Sequence, residues 1–77
     1  SALHKLKTEI LKEVSGLELK FKCIITDYYL HGLKWEQVSV RNHYSERQCK
    51  NIRNIAVETL AARFENNPAI ADFKITA

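Results

Sequence analysis

Residues 35–65 read WEQVSVRNHYSERQCKNIRNIAVETLAARFE, and this stretch decides the fold. Its first part predicts a short helix from Trp35 to about Asn42, with Trp35, Val38 and the small Ser39 facing inward. Glu36 sits in the first turn, where a carboxylate suits the positive end of the helix dipole. His43-Tyr44 then reads as a short turn. Ser45 is a good N-cap, and Gln48 three residues on completes a capping box. A long helix follows from Glu46 to about Glu65. Cys49, Ile52, Ala56, Leu60 and Phe64 step along it at helical spacing as an apolar stripe, which Ile55 widens. A short helix, a tight turn and a long helix in this order have the spacing of a helix-turn-helix, whose second helix enters the DNA major groove.

Upstream, Leu3, Leu6, Ile10 and Val14 mark an amphipathic helix over residues 3–14 that ends at Ser15-Gly16. Residues 17–31 carry Leu17, Phe21, Ile24, Ile25 and Tyr28 and predict a central helix. His31-Gly32 closes it: glycine takes the left-handed conformation, and histidine suits the negative end of the dipole. Leu33 packs in the linker. Downstream, Asn66-Asn67 ends the long helix. Asn67 as cap and Pro68 at the first position start one more turn through Ile70 and Phe73. The expected architecture is all-α, a four-helix domain with a sigma-region-4-like helix-turn-helix. It spans 1–77 as one domain: an N-terminal helix (3–14), a helix-turn-helix core (17–65) and a C-terminal tail (66–77).

Composition narrows the function. The chain has 77 residues, 45% of them apolar, enough for one small core and too many for disorder. Two Gly and one Pro are too few for a many-turned β-sandwich or barrel. No apolar run approaches the ~18 residues of a membrane span, and no basic-then-apolar leader opens the chain. Methionine is absent, which implies a processed or excised chain. Cys23 and Cys49 fall within apolar helical patterns and read as reduced, buried thiols, fitting a cytoplasmic location. His4, His31 and His43 have no metal-ligand spacing with each other or with the cysteines, so neither metal nor cofactor is expected. There is no Gly-rich phosphate loop and no nucleophile elbow. Glu36, His43 and Glu46 are close in sequence but lack an evident pocket in so small a domain, so no enzymatic activity is expected.

The formal charge is +3 and unevenly spread. Residues 1–22 hold five Lys against three Glu, a basic face that reads as solvated surface. Residues 35–54 hold Arg41, Arg47, Lys50 and Arg53 against Glu36 and Glu46. Arg47, Lys50, Asn51 and Asn54 lie opposite the apolar stripe over the first two turns of the long helix. These side chains suit base reading: Arg pairs with guanine, Asn with adenine, and Lys reaches guanine or phosphate. Arg41 and Ser45 are placed to touch phosphates beside the turn, as is Tyr44, which could equally pack into it. Trp35 reads as a core residue rather than a stacking platform.

Tyr28-Tyr29-Leu30-His31-Gly32-Leu33-Lys34-Trp35-Glu36-Gln37-Val38, followed by Tyr44-Ser45-Glu46-Arg47-Gln48, resembles the small phage and mobile-element transcriptional regulators of the ArpU/RinA type. The DNA-binding part of those proteins is similar to region 4 of sigma-70 factors. The resemblance covers about residues 17–64, with Cys49, Ala56 and Leu60 as further counterparts. It implies a cytoplasmic DNA-binding regulator of late, lytic or packaging genes, with Glu46, Arg47, Lys50 and Asn51 facing bases and Arg41 and Ser45 facing the backbone. Three positions depart from the pattern. Lys34 replaces a Thr or Ser cap, which predicts a loosely started third helix. Asn42 stands where an apolar residue is usual, which disturbs the expected packing of the turn. Val40 stands where a polar one is usual.

The function expected from these readings is sequence-specific binding of double-stranded DNA in transcription regulation. One such domain reads only a few base pairs, so a homodimer or RNA polymerase as co-binder is a further expected partner. The alternative is a protein-interaction module that binds RNA polymerase or a sigma factor. The modest charge and the apolar tail residues Ile70, Phe73 and Ile75 keep that alternative open.

Overall fold

The structure, a computed structural model, describes residues 1–73. Among them there are five helices and no strand: α1 (Ala2–Ser15), α2 (Leu19–Ile25), α3 (Trp35–Asn42), α4 (Glu46–Glu65) and α5 (Pro68–Ala71). The all-α expectation holds, and the helix ends fall close to the predicted ones. The end of the predicted tail, with Ile75, lies outside the described residues.

α4 is the centrepiece. At 1.5 Å per residue it is about 30 Å long, and α1, α2, α3 and α5 all pack against it. Its buried face carries Cys49, Ala56 and Leu60. Two apolar clusters form along it. Val14, Leu17 and Ile25 gather with Ala56 and Leu60, and Phe21 and Phe64 close the edge. Ile24 and Val38 gather with Cys49, backed by Tyr28, Leu33, Trp35 and Ile52. The stripe is narrower than expected. Ile52 and Phe64 are only half-buried, and Ile55, expected to widen it, is 52% exposed. Ile55 is six residues past Cys49, roughly 120° away around the helix, too far to reach the core. In α1 the inward stripe begins late. Leu3 is exposed, Leu6 and Ile10 are half-buried, and Val14 is buried.

Between Ser15 and α2 the chain turns at Gly16, which has φ −80°, not the left-handed conformation. A Cβ there would stand 2.8 Å from Nη1 of Arg63, the end of a flexible side chain that can move aside, so neither conformation nor crowding demands glycine. The predicted central helix is not uniform. After Ile25 it widens into a π-helical turn over Thr26–Leu30. The N–H of His31 donates to the carbonyl of Thr26, five residues back. Gly32, at φ +66°, then reverses the chain. Leu33 packs in the linker as expected.

Candidate nucleic-acid interface

α3 and α4 are joined by His43, Tyr44 and Ser45. His43 sits in the left-handed region at φ 59° and ends α3. The hydroxyl of Ser39 donates to the carbonyl of Tyr44, which ties the turn back to α3. Ser45 then opens α4 through the predicted capping box. Its Oγ accepts from the N–H of Gln48 at 3.1 Å, and its own N–H donates to Oε1 of Gln48 at 3.2 Å. Lys34 does not leave α3 loose, because Gln37 does the capping. Its Oε1 accepts from the N–H of Lys34 at 3.0 Å. The lysine side chain has no acceptor to return the bond.

Asn42 belongs to a polar cluster around a buried carboxylate, where the π-helical turn packs against α3. Asp27, in the π-helical turn, is 5% exposed. Its Oδ2 accepts from Nδ2 of Asn42 at 3.0 Å and from Nε of Arg41 at 3.2 Å. Nδ1 of His31 lies 3.7 Å from its Oδ1. Asn42 also donates to the carbonyl of Val38 at 2.8 Å. The asparagine at this position is therefore a donor for a buried carboxylate, and an apolar residue would leave that carboxylate short of a partner. Arg41, predicted to touch phosphate, is bound to Asp27 through Nε while its side chain stays 60% exposed.

Arg47, Lys50, Asn51 and Asn54 are all exposed, as are Glu46 and Ser45. Measured around α4 from Cys49, Arg47 and Asn51 lie roughly 160° away on either side and Asn54 roughly 140° away, which makes one outward face. Lys50, roughly 100° round, lies on the flank toward α3. Arg53 is roughly 40° from Cys49, on the same flank but nearer the core. The thiol of Cys49 is buried and its pKa is raised, first by burial and then by the charge of Glu46. It is a packed core group, whereas Cys23, also predicted to be buried, is only half-buried.

Trp35 departs from a plain core residue. It is half-buried and stacked on Tyr28, with ring centroids 3.9 Å apart and planes at 16°. The guanidinium of Arg53 lies 5.0 Å from the Trp35 centroid and 6.0 Å from that of Tyr28. Nζ of Lys50 lies 6.0 Å from the same indole. Arg53 is absent from the predicted site. Its position four residues after Cys49 was the available signal, since that spacing returns a side chain to the core-facing side.

Val40 is 73% exposed on the outside of α3, and nothing in the structure explains it. Glu36 and His43 are exposed, like Glu46. Among the described residues no group of three His, Cys, Asp or Glu side chains is arranged to hold a metal, and no helix is long and apolar enough to cross a membrane. No protein-family model, curated protein or solved structure matches the chain.

Proposed function

We propose that this chain is a DNA-binding domain, without enzymatic activity, in which α3 and α4 act as a sigma-region-4-like helix-turn-helix. The observation that carries the reading is the outward face of the first half of α4. Arg47, Asn51 and Asn54 stand exposed there, opposite the buried Cys49 and directly after the capped turn at Ser45. Exposed arginine and asparagine in the first half of a helix suit major-groove edges: arginine bonds N7 and O6 of guanine, asparagine N6 and N7 of adenine. Lys50 and Ser45 flank this face, and Arg41 on α3 keeps an exposed part; sugar-phosphate contacts from these would set the register. Glu46, at the start of the same helix, can accept from the amino group of cytosine. The regulatory setting follows the resemblance to the ArpU/RinA-type proteins: transcription control of phage or mobile-element genes in the cytoplasm, with a second copy or RNA polymerase completing the binding site.

The test is selection of bound duplexes from a random pool. Competition against single-base variants of the selected site follows, for wild type, Arg47→Ala and Asn51→Ala. Both variants should fold normally, because exposed substitutions usually change stability by less than about 0.5 kcal/mol. Each should lose preference at one or two base positions, where a paired contact is worth roughly 1–3 kcal/mol. Wild-type preference at every position in both variants would remove α4 as the reader. It would favour the alternative, a module that binds RNA polymerase or a sigma factor.

A further inference from the structure

We infer that Lys50, Arg53 and Trp35 form an anchor for a backbone phosphate, separate from the base-reading face of α4; the inference rests on the duplex-DNA reading. Two cations from successive turns of α4 converge on one indole, Arg53 at 5.0 Å and Lys50 at 6.0 Å from its centroid. Arg53 is held in place from two further sides. Its Nε donates to Oδ1 of Asn54 at 2.7 Å, and its Nη1 lies 3.5 Å from the hydroxyl of Tyr29. Among the described residues the ion pairs are Lys12 with Glu9, and His31 and Arg41 with Asp27. Among the described residues neither Lys50 nor Arg53 has a carboxylate partner, although Glu46 stands one turn before Lys50. Two like charges drawn to one ring repel each other, and the ring quadrupole offsets only part of that. An anion with several acceptor oxygens completes the arrangement, because a guanidinium fork and an ammonium can then share it.

The occupant is a phosphate and not a base. Trp35 and Tyr28 are already in stacking contact at 3.9 Å, which leaves no room for a base between them. The cleft beside them is lined by Tyr29, Gly32, Leu33 and Lys34. The site also lies on the flank of α4, adjacent to the outward face. A duplex whose groove receives that face carries its sugar-phosphate chain along the flanks of the helix. Lys50 thereby leaves the set of base readers. Asn54, whose Oδ1 is engaged by Arg53, keeps its amide N–H groups for an acceptor outside.

Trp35 is the sole tryptophan of the chain, so its emission reports on this site. The test measures affinity for a short mixed-sequence duplex against salt, with the full chain, for wild type, Lys50→Gln, Arg53→Gln and Arg53→Lys. Thermal melts identify a temperature at which all four are folded. Lys50→Gln and Arg53→Gln should each lower the salt slope, together by about one unit because they share one phosphate, and weaken every sequence alike. The loss in the two combined should be roughly eight-fold at ~0.1 M salt, taking ~1 M as the point where the electrostatic contribution vanishes. Arg53→Lys should keep the slope. Duplex should shift Trp35 emission, whereas inorganic phosphate at matched ionic strength should not saturate any shift. An unchanged slope in both Gln variants, with wild type bound, would overturn the anchor alone. Loss confined to one base position would make the residue a reader instead, and saturation by inorganic phosphate would reassign the site to a free anion. Absence of any duplex binding by wild type would remove the DNA reading and the anchor with it.

Discussion

Removing the carboxylate of Asp27 should destabilise the fold through two bonds of unequal weight. The bond from Asn42, at 3.0 Å, is part-buried and ends on an ionised acceptor, a class that contributes about 1.5–3 kcal/mol. The bond from Arg41, at 3.2 Å, comes from a side chain that is 60% exposed, so solvent screening leaves it below about 1 kcal/mol. Asp27→Ala should therefore cost roughly 2–4 kcal/mol. A domain of this length has a total stability of roughly 4–12 kcal/mol. The corresponding fall in melting temperature is roughly 8–32 °C, at about 4–8 °C per kcal/mol. Asn42→Ala should cost less, because Arg41 still reaches the carboxylate. The informative quantity is the coupling in the double-mutant cycle, measured by urea denaturation. It should exceed about 1 kcal/mol, well above the ~0.5 kcal/mol within which independent sites add. Additive costs would show that Asn42 and Asp27 do not support each other, and would leave the asparagine in α3 without a reason.

Other consequences are equally open to measurement. Val38→Ala, at a fully buried site, should cost about 2 kcal/mol, whereas Ile55→Ala should change stability by less than about 0.5 kcal/mol; equal losses in denaturant midpoint would mean that the register of α4 is misassigned. Gly32→Ala should cost about 1–2 kcal/mol, because φ +66° strains any L side chain although nothing crowds the added methyl. An unchanged melting temperature would contradict that. The raised pKa of Cys49 stabilises the fold fully below the ordinary thiol range, and that contribution falls as pH rises through it, because the unfolded chain loses the thiol proton first. Alkylation of the native protein should accordingly modify Cys23 well before Cys49, and equal rates would refute the burial argument.

The helices were legible because local signals agreed. Ser45 with Gln48, Asn67 with Pro68, and His31 with Gly32 each mark a boundary that the structure keeps. What was hard to read were the places where a polar residue interrupts an apolar face. Asp27 is three residues past Ile24, and Asn42 four past Val38, so both fall on buried faces. Each looks like a defect in its own helix. Only packing of the π-helical turn against α3 turns the two defects into one hydrogen bond. Arg53 is a similar case, with a charge at core-facing spacing whose reason, the Trp35 ring, comes from another helix. Ile55 shows the converse error. An apolar residue near the stripe was assigned to the core, but rotation around α4 carries it into solvent.

The central claim is that this fold presents α4 to duplex DNA, and the salt dependence of binding tests it most directly. Fluorescence anisotropy of a labelled mixed-sequence duplex, titrated with the full chain at several salt concentrations, gives the slope of log affinity against log salt. One phosphate at Arg41 and one shared by Lys50 and Arg53 predict a slope of about −2, at roughly 0.9 per neutralised phosphate. Binding should be measurable at low salt and lost as salt rises. No binding at low salt, or an affinity that does not change with salt, would contradict the account.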